Sequence, residues 1–260
     1  MMKRYGPWAL VTGASSGIGR GFALALAERG IAVVLVARRR ALLDEVAAEI
    51  AARFRVSTRV IVLDLAAAGA SASLAAAVAD LEIGLLIANA GTGWIGRFDL
   101  QTLETHTSMI RLHCESTVEL TARLMPAMKQ RGRGGVIIVS SMGGLIPVPY
   151  YALYGGTKAF LLNWGEALAI EMQGSGVDVM VVAPGDTKTG FQEVAGEMST
   201  RWSSVEDVVR QTLEGLGRRS LVVPGLENKL SLIAARFLPR SWLMRMVEKR
   251  QREQTPRERR

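Results

Sequence analysis

Apolar runs rich in β-branched residues recur along the chain at 8–12, 31–37, 59–64, 83–88, 135–140, 177–183 and 219–223. They are apolar almost throughout and do not alternate, the mark of strands covered on both faces in a parallel sheet. Between them lie stretches of helical pattern at 17–30, 40–54, 70–81, 103–131, 154–173 and 205–216. A last helical stretch starts near Leu226 and runs toward the C-terminus. Alternating strands and helices with right-handed crossovers predict an α/β fold: a doubly wound parallel sheet of seven strands with helices on both faces. No repeat, linker or break interrupts residues 1–225, which are expected to form one domain, with 226–260 a helical extension packed on it or projecting from it.

Composition changes this picture little. A chain of 260 residues, 49% hydrophobic and 6% aromatic, can bury a sizeable aliphatic core, which excludes disorder. One cysteine, Cys114, forbids an internal disulfide, and two histidines, His106 and His113, are too few for a Cys/His zinc site. No metal is expected, and a reducing cytoplasm is the simple expectation. A strand beginning at Trp8 leaves no room for an apolar leader, and no uncharged run of 18 residues spans a bilayer.

Charge adds more. Residues 229–260 hold ten Lys/Arg against three Glu, a net +7, which leaves +1 of the chain's +8 for everything before. A basic terminus suits an acidic surface or is a solvated helix end. The near-neutral body argues against nucleic acid as a partner, because phosphate binding needs cations spread over a broad surface.

Three motifs carry candidate chemistry. "VTGASSGIGRG" joins the first strand to the first helix with Gly13, Gly17 and Gly19, a G-x-x-x-G-x-G spacing. Glycines let the chain turn sharply and let backbone approach a pyrophosphate, while the helix N-terminus offers N–H groups to phosphate. The second strand ends at Ala37, where an NAD site usually carries an acid, and Arg38, Arg39 and Arg40 follow. A guanidinium suits a 2′-phosphate, so NADP(H) is the expected cofactor, with Arg38 and Ser15 the candidate contacts. In "YYALYGGTKAF", Tyr154 has Lys158 four residues on, one helical turn away on the same face. An ammonium there favours the phenolate of a group whose free pKa is ~10, which suits it to general acid/base work.

With "TGASSGIG", "NAG" at 89–91, "SS" at 140–141, Tyr154-x-x-x-Lys158 and "PGDTKTG" at 184–190, residues 7 to 225 resemble a short-chain dehydrogenase/reductase. The resemblance implies a Rossmann-like fold and hydride transfer between NADP(H) and a carbonyl or alcohol. It implies Tyr154 as proton donor or acceptor, Lys158 as its ribose-binding partner, and Ser141, thirteen residues before Tyr154, on the carbonyl oxygen. Ser140 points the other way along the strand. Around the cofactor it implies Gly13, Ser15, Ser16, Gly17, Ile18 and Gly19 at the phosphates. Asp64 and Leu65 fall at the adenine, and Asn89 steadies the central strands under the cofactor. Pro184, Gly185, Thr187 and Thr189 fall at the nicotinamide amide. Where many relatives carry a relay asparagine, this chain has His113, which either replaces the relay or is a buried histidine satisfied at a helix irregularity. Relatives pair through 103–131 and 154–173, which implies a homodimer or homotetramer.

The substrate wall is expected from 92–99, 142–151 and 190–204, with Trp94, Ile95, Phe98, Leu145, Ile146, Val148 and Phe191 as its apolar members. No arginine cluster waits for a carboxylate, so an apolar ketone or secondary alcohol is the expected substrate, within a class of fatty-acyl, steroid-like, terpenoid or aromatic carbonyls. The basic amphipathic extension is expected to cover the pocket, to meet another subunit, or to make weak peripheral membrane contact through 229–260. A catalytically silent NADP-binding sensor or scaffold is the rival function; such proteins lose the Tyr/Lys pair, and both residues stand here.

Overall fold

A computed structural model describes residues 1–187, 189 and 203–259. A short helix α1 (Met2–Tyr5) precedes β1 (Trp8–Thr12), α2 (Gly17–Glu28), β2 (Ala32–Ala37), α3 (Arg40–Phe54), β3 (Thr58–Val62), α4 (Ala70–Ala77) and β4 (Ile83–Ala88). The second half runs α5 (Leu103–Ile110), α6 (Ser116–Gln130), β5 (Gly134–Val139), α7 (Ala152–Glu171), β6 (Val177–Val182), α8 (Val205–Gly215) and β7 (Leu221–Val222). The extension folds as two helices, α9 (Leu226–Phe237) and α10 (Arg240–Gln254), broken at Pro239 because proline cannot continue a helix.

The seven strands form one sheet in the order β3-β2-β1-β4-β5-β6-β7, with every neighbouring pair parallel. Their fully buried residues feed two cores, one on each face. Leu35, Ile87 and Met180 join Phe22 and Leu26 of α2 on one face; Leu10, Leu86 and Ile138 join Leu120 of α6 and Leu161 of α7 on the other. The strand order reverses between β1 and β4, and a crevice opens at their carboxyl ends, where open α/β sheets bind ligands.

The stretch expected as one helix at 103–131 departs from that expectation. α5 and α6 are joined by a π-helical turn, Arg111–Glu115, which inserts an extra residue and re-aims the side chains on it. His113 sits on that turn, fully buried.

Candidate active site

Thr12 closes the switch point. Its hydroxyl accepts from the backbone N–H of Asn89 and of Ala90, both at 2.9 Å, and donates to the Ile87 carbonyl at 3.2 Å. The Asn89 amide donates to the Thr12 carbonyl at 2.9 Å. These bonds tie the ends of β1 and β4 together beneath the Gly13–Gly19 turn. Gly13 has φ +68°, left-handed backbone that suits glycine, and a Cβ there would lie 2.7 Å from the Asn89 amide nitrogen. A Cβ on Gly19 would collide with the Gly13 carbonyl, and one on Gly17 would meet Thr189 at 2.8 Å. The turn is therefore a backbone cradle open at the N-terminus of α2, which fits a dinucleotide pyrophosphate.

One cleft of about 600 Å³ collects most of the expected cofactor residues. Gly13, Ser15, Ser16, Gly17, Ile18, Arg38, Asp64, Leu65, Asn89, Pro184, Gly185, Thr187 and Thr189 all line it. Gly19 lies behind the turn. Arg38 is largely exposed, its guanidinium 3.9 Å from the Asp64 carboxylate. Arg39, second of the three cations after the second strand of which Arg38 was the preferred contact, donates to Ser16 Oγ at 2.9 Å and Ser15 Oγ at 3.2 Å. Its position follows from Arg39 standing in extended conformation just before α3, so that its side chain turns back over the glycine turn.

Tyr154 lies in the first turn of α7 and Lys158 one turn later, both on the cleft. The Lys158 ammonium is 5.7 Å from the Tyr154 ring centre and donates to the Val139 carbonyl at 2.9 Å. Lys158 is 4% exposed, and burial pushes its pKa down to about 8. Ser141 caps the turn after β5 and accepts from the Gly143 N–H at 3.1 Å. Gly144 brings that loop against α7: a Cβ there would lie 2.7 Å from the Lys158 carbonyl carbon. Ser141 thus faces the cleft beside Tyr154, while the Ser140 hydroxyl is spent on the Lys158 carbonyl at 2.7 Å.

His113 is close to this group, its ring 5.8 Å from that of Tyr154 and edge-on to it. Its Nε2 accepts from the Thr92 N–H at 2.9 Å and its Nδ1 meets the Thr157 hydroxyl at 2.8 Å. The Thr157 hydroxyl already donates to the Tyr154 carbonyl at 2.8 Å, so His113 Nδ1 is the donor and Nε2 the acceptor. Burial first, then the Lys158 charge, holds its pKa well below the usual 6.5. Neither ring nitrogen is free for a proton relay.

The apolar wall differs from expectation. Ile146 and Val148 line the cleft, with Leu112, Met142 and Tyr151 beside them. Ile95 is instead fully buried against Tyr151, Leu145 packs into a sheet core, and Phe98 stands 58% exposed, stacked on His106. Trp94 is covered by Arg259. Phe191 and most of the expected 190–204 segment lie outside the described residues. The extension supplies the remaining wall through Asn228, Ser231, Val247, Arg250 and Gln251.

A glycine-cradled switch point joined to a Tyr–Lys pair is the arrangement that the resemblance to short-chain dehydrogenases implies. The short-chain dehydrogenase profile matches residues 7–200, and the chain belongs to that family. It is 36% identical over 228 residues to a very-long-chain 3-oxoacyl-CoA reductase of Scheffersomyces stipitis, covering 83% of this chain and 65% of the relative. The chain thus spans about two thirds of the fungal relatives' length. It is 32% identical over 240 residues to a 7β-hydroxysteroid dehydrogenase of Collinsella aerofaciens, covering 89% of this chain and 91% of that one. A short-chain dehydrogenase from Sphingobium yanoikuyae in complex with NADPH superposes with a TM-score of 0.81 at 33% identity, covering 88% and 93% of the two chains.

Proposed function

We propose that this oxidoreductase transfers hydride between NADP(H) and an apolar ketone or secondary alcohol, with Tyr154 as general acid/base. The observation that carries the reading is a buried ammonium, Lys158, set one helical turn from Tyr154 on the cleft that the glycine cradle opens into. The cofactor, when bound, supplies or takes the hydride at the carbonyl carbon. Tyr154 gives the oxygen its proton in reduction and takes it back in oxidation. The positive charge of Lys158 favours the phenolate, and the Ser141 hydroxyl holds the carbonyl oxygen. His113 positions both helix and loop and does not relay protons.

In this reading Gly13, Gly17 and Gly19 admit the pyrophosphate, and Arg39, Ser15, Ser16 and Arg38 take the 2′-phosphate. Asp64 and Leu65 hold the adenine; Pro184, Gly185, Thr187 and Thr189 hold the nicotinamide amide. Leu112, Met142, Ile146, Val148, Tyr151 and Val247 make the substrate end apolar. The names of the two relatives, an oxoacyl thioester reductase and a steroid dehydrogenase, support a bulky apolar carbonyl. Exposed Phe160 and Ile170 on α7, with Leu103 and Ile110 on α5, support a homodimer or homotetramer through those helices. A cytoplasmic enzyme in weak peripheral contact with membrane completes the reading.

The test is NADPH oxidation against a panel of apolar ketones and small polar keto acids, in the wild type and in Tyr154→Phe. Apolar ketones should turn over, and turnover should fall about 10²- to 10⁴-fold in the variant while NADPH still binds. Undiminished turnover in Tyr154→Phe would remove that residue as the acid, and a preference for keto acids would remove the apolar substrate class.

A further inference from the structure

The two helices of the extension have two unlike faces. Inward, Asn228 and Ser231 of α9 and Val247 and Gln251 of α10 form part of the cleft wall. Outward, Leu226, Leu230, Ile233 and Phe237 recur at i, i+4, i+7 and i+11, which is one face of α9, and they are 54–83% exposed. Trp242 and Met246, one turn apart on α10, are 61% and 60% exposed. An unbroken apolar row of this kind on a soluble surface marks a place where something docks. The second helix also carries exposed cations, Arg240, Arg245, Lys249 and Arg252. Among the described residues none of these four takes part in an ion pair, whereas Arg20, Arg40, Arg97 and Arg210 of the sheet domain each pair with a carboxylate.

Charge decides between occupants. A second copy docked on this face would set one net +7 segment against another, and like charges across an interface oppose association. A nucleic acid would satisfy the cations and leave six large apolar side chains in water. An anionic lipid surface satisfies both: apolar side chains enter the headgroup and acyl boundary while guanidinium and ammonium groups meet the phosphates.

We propose that the outer face of α9 and α10 docks on an anionic lipid bilayer. Docking there places the bilayer against the outside of the helices whose inside walls the cleft. A substrate of the apolar class would then reach the cleft from lipid, where it partitions, and not from water. No helix of the described residues is long and apolar enough to cross a membrane, so the contact is interfacial. The substrate route rests on the apolar-ketone reading; the docking itself needs no turnover to be measured, so the two fail separately.

The experiment is flotation of the full chain with phosphatidylcholine vesicles, with and without phosphatidylglycerol. Variants are Phe237→Glu/Trp242→Glu and Leu230→Glu/Ile233→Glu, surface changes outside the cleft lining. The wild type should float with the phosphatidylglycerol vesicles and much less with phosphatidylcholine alone. Binding should weaken sharply toward 1 M salt, where screening shortens to ~3 Å. Either double variant should cut the co-floating fraction about tenfold while leaving NADPH binding intact. A chain that stays with the aqueous layer at low salt overturns the proposal. So does a wild-type dimer that ignores vesicles and dissociates on either double change, because the face is then a contact between copies.

Discussion

His113 and Thr157 share one proton in one direction: the imidazole Nδ1 donates to the threonine hydroxyl at 2.8 Å, because that hydroxyl's own proton goes to the Tyr154 carbonyl. The ring is thereby a neutral strut. It holds the loop after β4 through the Thr92 N–H and the start of α7 through Thr157. His113→Asn is too short to span both partners. It should lower kcat, leave the shape of the pH–rate profile unchanged, and cost about 1–3 kcal/mol through the unpaired Thr92 N–H. A relay histidine would behave otherwise, since its replacement would remove a limb of the profile. Urea unfolding together with kcat measured across pH separates the two.

Lys158 should make activity and stability run in opposite directions with pH. Burial brings its pKa down from 10.5 to about 8 in the folded, cofactor-free chain. Between those values the unfolded chain binds the extra proton, so stability must rise with pH across that window, at up to ~1.4 kcal/mol per unit. Below pH 8 the buried charge is a burden, and Lys158→Met should be more stable than the wild type by about 3 kcal/mol. That advantage should vanish by pH 10.5. Activity in the wild type should fall at alkaline pH, once the charge beside Tyr154 is lost. Thermal melting of both proteins from pH 7 to 10.5 checks the sign.

Arg39 and Arg38 should divide the cofactor preference unequally. Arg39 is already aligned on Ser15 and Ser16, whereas Arg38 stands in solvent near Asp64. A hydrogen bond to a charged group contributes about 1.5–3 kcal/mol, so Arg39→Ala should weaken NADPH binding roughly 10- to 100-fold. NADH binding should barely move. Arg38→Ala should have a smaller effect. Titration of both nucleotides against both variants reads the ratio, and equal losses for NADH and NADPH would mean that Arg39 only shapes the turn.

The same two arginines show where a sequence stops being informative. A run of three cations after β2 predicts a phosphate contact, yet the choice among them depends on the backbone just before α3. That backbone turns Arg39 toward the serines. The strands were legible because a two-sided burial leaves few polar positions in them. The π-helical turn at Arg111–Glu115 was legible only as one of two readings of His113, since one inserted residue changes no composition and scarcely disturbs the helical spacing. Wall residues were legible only in part. Phe98 and Ile95 are both apolar and three residues apart in the chain, and only the packing of Ile95 against Tyr151 distinguishes their burial.

Among the described residues, named polar contacts fasten the extension to the site, which makes its role measurable. Arg250 Nη2 donates to Asp186 Oδ2 at 3.0 Å, linking α10 to the loop that follows β6. Beyond it, Tyr150 reaches Glu248 at 3.4 Å, and the Arg259 carbonyl accepts from the Arg97 N–H at 2.9 Å. The Arg250–Asp186 pair is 62% and 31% exposed, so its loss should cost under ~1 kcal/mol of stability. The kinetic consequence should be larger than the thermodynamic one, because both residues line the cleft. Arg250→Ala and Asp186→Ala should each raise the KM of a bulky ketone several-fold and change that of a small ketone little. The reversed pair Asp186→Arg/Arg250→Asp should recover much of the difference, since the link is between charges and a double-mutant cycle isolates it. If the bulky and small ketones respond alike, α10 is a bystander at the mouth of the cleft and not its wall.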